Sequence, residues 1–269
     1  MPILRTIFVT LAIVVSAVVW AGEVEDGDAA FAKEDYAMAL KKFKIAAARG
    51  DAYSQTQIGA MYKYGFGVKQ DYPEAIRWFN LAIAQGHMLA QFELAEMLID
   101  GKGVVQDYTE AVRLLKLSAI QGLSLSQHEL GVMYYVGKGV VQSYAEAVKL
   151  YRLAAAQGLA DAQSNLGFMY QNGQGVVQDY AEAVKLYKLA AAQGLARAQY
   201  NLGIMYGNGR GVVQDYVRAH MWWNLAAVKS NADAEKNRDI VAAKMTTQQI
   251  AAAQKLAREC KARNYKNCD

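Results

Sequence analysis

The feature that most constrains this 269-residue chain is a 36-residue repeat that recurs without insertion or deletion. The string Gly-x-Gly-Val begins at five evenly spaced positions: Gly65, Gly101, Gly137, Gly173 and Gly209. A fixed period of about 20–50 residues is typical of solenoids, in which each unit buries its apolar face against its neighbours. We therefore expect five complete units over residues 51–230, preceded by an abbreviated unit over residues 25–50.

Each repeat carries the pattern of two helices. The second helix begins with an N-cap residue and a glutamate three positions later, as in Asp179 and Glu182. The side chain of the N-cap residue can accept from the amides of the first turn, while the glutamate side chain reaches back to the N-cap amide. Behind this cap, apolar residues recur with a helical period, and Gly194 ends the helix. The preceding segment, DAQSNLGFMYQNG, fits a first helix with one inward stripe. The sequence therefore predicts an all-α fold.

Glycine stands in the middle of most of the first helices, at Gly59, Gly131, Gly167 and Gly203. A glycine there costs about 1 kcal/mol relative to alanine, so it needs a reason. We expect the partner helix to approach closely at these points, opposite small residues: Ala82, Ser118, Ala154, Ala190 and Ala226. In the second repeat, Ala95 replaces the glycine and still fits.

The Gly-x-Gly segment could be mistaken for a phosphate-binding loop. Such a loop follows a strand and opens a helix with free amides, usually with a Lys-Ser or Lys-Thr pair. Here a helix precedes the segment, the helix that follows has its own cap, and the residue between the glycines varies from Phe66 to Gln174. We interpret the glycines as the bend between two helices.

The repeat resembles a known family in its recurring residues. In the fourth copy these are Ala162-Gln163, Leu166-Gly167, Tyr170, Gly173-x-Gly175-Val176, Asp179-Tyr180, Ala183, Tyr187, Ala190-Ala191 and Gly194. They are similar to the Sel1-like repeat, a relative of the tetratricopeptide repeat with a longer loop, as found in exported bacterial members. The resemblance covers residues 51–230, and residues 25–50 resemble an ordinary tetratricopeptide hairpin that caps the array. It implies an α-solenoid of antiparallel helix pairs forming a right-handed superhelix.

The resemblance also implies which surface binds a partner, because first helices line the concave side in this family. The candidate protein-binding residues are Phe92, Glu96, His128, Val132, Tyr135, Phe168, Gln171, Tyr200 and Ile204. The apolar members would form a groove for an extended or helical segment, and the polar members would set its orientation. The alternative is that some of them pack between adjacent units. The expected partner is a protein or peptide.

The chain opens with an apolar run, Ile7 to Trp20, behind the single positive residue Arg5. This pattern predicts a signal peptide over residues 1–21, cut near Ala21, and a periplasmic or secreted mature chain. The alternative is an uncleaved inner-membrane anchor over residues 5–21, which would make the protein a membrane-tethered signalling regulator. The apolar run is slightly shorter than the roughly 20 residues that span a bilayer.

The last segment, residues 231–269, is predicted to form a helical cap. It holds both cysteines, Cys260 and Cys268, which we expect to pair in an oxidising compartment; two free thiols are the alternative. From Lys229 onward there are nine Lys and Arg against five Asp and Glu. A solvated helix face explains this excess best, and contact with an anionic membrane or acidic partner is the alternative.

No pattern for catalysis, metal or cofactor binding stands out. His128-Glu129 resembles the start of a zinc-binding helix, but Val132 occupies the place of the second ligand. Cysteine-rich relatives have been linked to β-lactamase or penicillin-binding activity, yet no serine here has the lysine three residues on that such a site needs. Basic residues are not clustered with stacking aromatics, which argues against nucleic acid. We therefore predict a non-enzymatic adaptor, with a hydrolase as the alternative.

Overall fold

The structure, a computed structural model, describes residues 22–228 and 232–268, and every regular element in these two ranges is an α-helix. The predicted all-α class is confirmed, while the predicted signal peptide lies outside the described residues. Helix α1 covers residues 22–32. The others are α2 (Tyr36–Ala47), α3 (Ala52–Tyr64), α4 (Tyr72–Ile83), α5 (Met88–Asp100), α6 (Tyr108–Ile120), α7 (Ser124–Val136), α8 (Tyr144–Ala156), α9 (Ala160–Asn172), α10 (Tyr180–Ala191), α11 (Ala196–Asn208), α12 (Tyr216–Ala227), α13 (Ala232–Ala242) and α14 (Thr247–Ala262).

The helices form two compact units, which part between Leu123 and Ser124. In unit 1, α3 packs on α4 and α5 on α6, and α2 and α4 also contact the first helix of the following pair. In unit 2, α7 packs on α8, α9 on α10 and α11 on α12, and consecutive pairs stack through α8 on α9 and α10 on α11. Helices α13 and α14 both pack on α12. Each unit is therefore a stack of helix hairpins.

The caps of the second helices form as predicted at the N-cap residue but not at the glutamate. Asp179 Oδ1 accepts from the amides of Ala181 and Glu182 at 2.9 and 3.0 Å. The backbone N–H of Asp179 already donates to the Tyr170 carbonyl of the first helix, so the glutamate has no free amide to reach. Glu182 instead pairs with Lys185 one turn on. The expected reciprocal capping box is thus replaced by a bond between the two helices of a repeat.

A glutamine in each interhelical loop was missed by the sequence analysis. Its side-chain amide donates to a carbonyl in the last turn of the first helix, at 2.6–2.9 Å, in every one of the five repeats. Such carbonyls have no partner inside their own helix, so the bond stabilises the helix end. The residues are Gln70, Gln106, Gln142, Gln178 and Gln214.

A second set of glutamines links the hairpins. Gln193, which follows α10, donates to Gln163 Oε1 on α9 at 2.9 Å and to the Gly158 carbonyl of the preceding repeat at 2.9 Å. Gln163 is buried, and its own amide donates to the Ala155 carbonyl at 3.3 Å. Paired amides of this kind recur in the earlier repeats. They satisfy polar groups that stacking removes from water.

The two glycines of each Gly-x-Gly segment have different roles. The first is the left-handed C-cap of the first helix, as at Gly173 with φ 66°, which confirms the predicted bend. The second also has positive φ, but it lies against the preceding repeat: a Cβ on Gly175 would stand 2.5 Å from the carbonyl carbon and oxygen of Tyr144, at the start of α8. The second glycine is therefore a docking point between repeats, beyond the bend that we predicted.

The mid-helix glycines do admit a close approach, but of an aromatic ring rather than of a small side chain. A Cβ on Gly167 would stand 2.9 Å from the ring of Tyr187. Equivalent pairs are Gly59 with Phe79, Gly131 with Tyr151, Gly203 with Trp223 and, in the leading hairpin, Gly27 with Phe43. In the second repeat Ala95 stands in the glycine position, and the aromatic position holds the smaller Leu115. The prediction named the wrong partner because helical periodicity does not tell which of several buried positions lies opposite a glycine.

In the C-terminal segment, the structure describes two helices, α13 and α14, that pack on α12. Thr246 and Gln249 make a reciprocal capping box at the start of α14. Trp222 and Trp223 on α12 share a buried cluster with residues of α13 and α14, so both rings lie at the junction between the last repeat and the C-terminal helices. Cys260 and Cys268 form a disulfide, and both are buried in the same cluster. The disulfide therefore ties the segment that follows α14 back to that helix.

The methionines that recur once per repeat are also buried, at 2% exposure or less. They are Met61, Met97, Met133, Met169 and Met205. Flexible thioether side chains of this kind fill irregular gaps in a core.

Candidate functional site

In unit 1, the two candidate residues are occupied by packing. Phe92 is 8% exposed, so its prediction as an open anchor is wrong. Thr56 and Ser164, which hold the same repeat position, are also buried, at 1% exposure. Glu96 binds the Lys63 ammonium at 2.9 Å, and Lys63 also binds Glu93 at 2.8 Å. Burial by itself lowers the pKa of Lys63, but the two carboxylates reverse this and raise it. Glu96 thus links α3 to α5.

In unit 2, the first helices α7, α9 and α11 enclose a cavity of about 370 Å³. We call it the α7–α9–α11 cavity. It is lined by Val132, Tyr135, Val136, Tyr151, Ser164, Asn165, Phe168, Met169, Arg197 and Asn201. Three of the predicted binding residues, Val132, Tyr135 and Phe168, are among them. A concave, mainly apolar cavity with a few polar groups is the usual form of a ligand site.

Aromatic rings form much of the cavity wall. The ring of Tyr135 meets that of Phe168 edge to face, with centroids 6.5 Å apart, and packs at 5.4 Å on Tyr144. Phe168 is 39% exposed, whereas Tyr151 is almost completely buried. Because α7 and α9 hold Tyr135 and Phe168 against each other, the wall is formed before any ligand arrives. An exposed ring in such a setting is a typical anchor for a partner.

The polar side of the cavity is supplied by α9 and α11. The Asn165 amide nitrogen lies 3.0 Å from His128 Nε2. Burial lowers the pKa of His128, so the ring is neutral near pH 7. Because the Asn165 amide nitrogen can only donate, Nε2 accepts this bond and Nδ1 carries the proton. Predicted residue His128 therefore positions Asn165. Arg197 meets Asp161 at 3.4 Å, and both side chains are half exposed, so this ion pair is weak.

The remaining candidates in unit 2 are held by other contacts. Gln171 Oε1 accepts from the Tyr187 hydroxyl at 2.9 Å. The Tyr200 hydroxyl accepts from Asn237 of α13 at 3.3 Å, and Ile204 packs against the C-terminal cluster. None of these three residues lines the α7–α9–α11 cavity. All three make contacts within the protein, and their role in binding a partner stays a prediction.

Sequence reasoning missed the polar lining. Asn165 and Asn201 are one repeat apart, and the corresponding residues of the first three repeats are Gln57, Glu93 and Glu129. A change from longer polar side chains to asparagine in two neighbouring repeats was a usable signal. The predicted binding residues were taken from three other positions of the repeat, so the position of Asn165 and Asn201 was not included.

The described residues hold neither a metal cluster nor a bilayer-spanning helix. Within residues 22–228 and 232–268, no group of three or more His, Cys, Asp or Glu side chains is arranged to hold a metal ion. None of the helices in those ranges is long and apolar enough to cross a bilayer.

Stacked helix hairpins with a cavity on their first helices define a repeat protein of the α-solenoid class. Five consecutive segments match the Sel1 repeat, at residues 52–87, 89–123, 124–159, 160–195 and 196–229, and the chain belongs to this family. The predicted Sel1-like resemblance is thus confirmed. No curated protein sequence matches the chain.

Solved structures give the same result. A Sel1 repeat protein from Oxalobacter formigenes is 29% identical with a TM-score of 0.75, and the match covers 80% of this chain and 86% of that one. A Klebsiella pneumoniae protein described as a Sel1 repeat protein is 22% identical with a TM-score of 0.50, over 76% of this chain and 99% of that one. The second likeness shows the fold alone. Together they support the repeat solenoid.

Proposed function

We propose that this protein is a non-enzymatic scaffold that binds a protein or peptide segment through the α7–α9–α11 cavity. The observation that carries the proposal is an apolar recess of about 370 Å³ beside a ring, Phe168, that is 39% exposed. Leaving such a ring in water is unfavourable, and a partner that covers it recovers the hydrophobic free energy.

The lining favours a segment of chain over a flat surface. Val132, Tyr135 and Phe168 provide the apolar contacts, while Asn165 and Asn201 present amides that can bond to a peptide backbone. Hot spots of protein interfaces are apolar or aromatic anchors in desolvated pockets with a polar rim. In this arrangement the apolar residues supply the binding free energy, and the two asparagines at the edge set the orientation of the bound peptide.

We also propose that the protein acts outside the cytoplasm. Disulfides persist in oxidising compartments, and the buried Cys260–Cys268 disulfide supports such a location. The leader-like pattern of residues 1–21 points the same way. The expected partner is thus a periplasmic or extracellular protein segment.

Replacing Phe168 with alanine is expected to weaken peptide binding about tenfold or more. Truncating an anchor that the bound peptide covers removes roughly 1.4 kcal/mol or more of the binding free energy. The test immobilises the full mature chain, selects binders from a random displayed dodecapeptide library, and measures the Kd of synthetic selected peptides by fluorescence polarisation. Leu189→Ala is the matched control, since Leu189 on α10 is 48% exposed and lies outside the cavity lining. Equal affinities for the two variants would contradict the proposed site.

A further inference from the structure

The α7–α9–α11 cavity carries a single charge. Of the ten described residues that line it, Arg197 is the only charged one, and no carboxylate is among them. Peptide binding through the apolar residues and the asparagines leaves this charge without a role. A guanidinium at the edge of an apolar recess, with no opposite charge in the lining, is suited to recognise an anionic group of a ligand.

The guanidinium of Arg197 is available to a ligand. It meets Asp161 through a single contact of 3.4 Å, between Nη2 and Oδ1. A guanidinium has five N–H donors, and its other donors make no hydrogen bond to the part of the chain that the structure describes. Both side chains are 52% exposed, so giving up or sharing the contact with Asp161 costs little.

The positive charge of Arg197 also acts on the cavity wall. Burial lowers the pKa of His128 and raises the pKa of the Tyr151 hydroxyl. In both groups the nearby charge of Arg197 lowers the pKa in addition. Tyr151 lines the cavity, and His128 bonds to Asn165, which also lines it. The potential at this side of the cavity is therefore positive and favours a negative ligand group.

We propose, building on the proposed function, that the bound segment carries an aspartate or glutamate whose carboxylate pairs with Arg197 while a neighbouring apolar side chain fills the recess beside Phe168. A carboxylate is the anion that a peptide supplies, and arginine can bind it through two parallel N–H···O bonds. About half of the Arg197 side chain is in solvent, so the contact lies at the rim and the segment can continue past it. The carboxylate is therefore assigned to a side chain of the segment and not to its C-terminus.

The test measures how much the acidic side chain contributes to binding. Dodecapeptides selected on the unaltered protein are synthesised with amidated C-termini, so that side chains carry the only carboxylates of the peptide. Each is compared by fluorescence polarisation with a version in which Asp or Glu is replaced by Asn or Gln. We expect acidic residues to be enriched in the selection, and the amide versions to bind about threefold to fivefold more weakly. With Arg197→Gln, the two versions should bind with about equal affinity.

Two further variants test the direction and the specificity of the effect. Asp161→Asn removes the carboxylate that already contacts Arg197, so acidic peptides should bind about twofold more tightly while their amide versions are unaffected. Arg152→Gln is the matched control for the change in net charge, because Arg152 is exposed in the same unit and does not line the cavity. It should keep the preference for acidic peptides, and a loss of preference there as well would overturn the inference.

The outcomes separate this inference from the proposed function. Binding that depends on Phe168 but not on an acidic side chain, or a preference for acidic peptides that survives in Arg197→Gln, would reject the inference and leave the peptide site standing. The same holds if amide versions with a free C-terminal carboxylate regain the full affinity in a manner that depends on Arg197. Binding that is insensitive to Phe168→Ala, or a selection that yields no peptide, would reject both proposals.

Discussion

Gly175→Ala is expected to lower the free energy of unfolding of unit 2 by about 2–5 kcal/mol, the largest effect we predict for a single methyl group. Two penalties combine. Gly175 has φ 70°, and a left-handed conformation costs an alanine about 1–2 kcal/mol. The added Cβ would also stand 2.5 Å from the Tyr144 carbonyl, and overpacking against backbone adds about 1–3 kcal/mol.

Gly158→Ala is the control that separates these penalties. Gly158 has φ 90°, but no atom lies within 4 Å of the Cβ that would be added. We expect it to lose only the conformational part, about 1–2 kcal/mol. Urea unfolding followed by circular dichroism gives both values. Similar losses for the two variants would mean that the second glycine serves the bend alone and that docking between repeats does not depend on it.

Gly59→Ala is expected to destabilise unit 1 by about 1 kcal/mol, and by up to about 2 kcal/mol, although alanine is the better helix former. The new methyl would stand 2.6 Å from the ring of Phe79, which is fully buried and has no room to move. Overpacking of this kind costs about 1–3 kcal/mol, and the gain of about 1 kcal/mol in helix propensity offsets only part of it.

The second repeat provides the compensating change. There the pair is Ala95 and Leu115, so Phe79→Leu should restore room for the methyl at position 59. A double-mutant cycle in urea, with Gly59→Ala, Phe79→Leu and the double variant, should give a favourable coupling of about 1–2 kcal/mol. Additive losses would show that glycine and ring do not form one packing unit.

The repeat pattern was sufficient to predict the helices, their N-cap residues and the stacking of hairpins, because these depend on residue types and spacing within one repeat. The predictions that failed concern contacts between elements. Phe92 occupies a position that periodicity leaves ambiguous, and only the packed structure shows it to be buried. Likewise, the partner of each mid-helix glycine depends on how two helices cross, which the sequence of either helix does not specify.

The candidate site was predicted in part for the same reason. Tyr135 and Phe168 were found because a binding face repeats with the hairpin. The polar members Asn165 and Arg197 occupy other repeat positions and differ between copies, so a search for shared positions passed over them.

The contact of Gly175 with Tyr144 has a consequence for how such arrays change length. The loop of one copy fits the helix start of the copy before it, and tyrosine stands at that start in each hairpin of the array, from Tyr36 to Tyr216. Adjacent repeats therefore share one kind of contact, between a loop glycine and a tyrosine at the start of a second helix. Deleting one whole 36-residue repeat again places the second glycine of a loop against the tyrosine of the preceding repeat. Deleting part of a repeat leaves a glycine or a tyrosine without this contact.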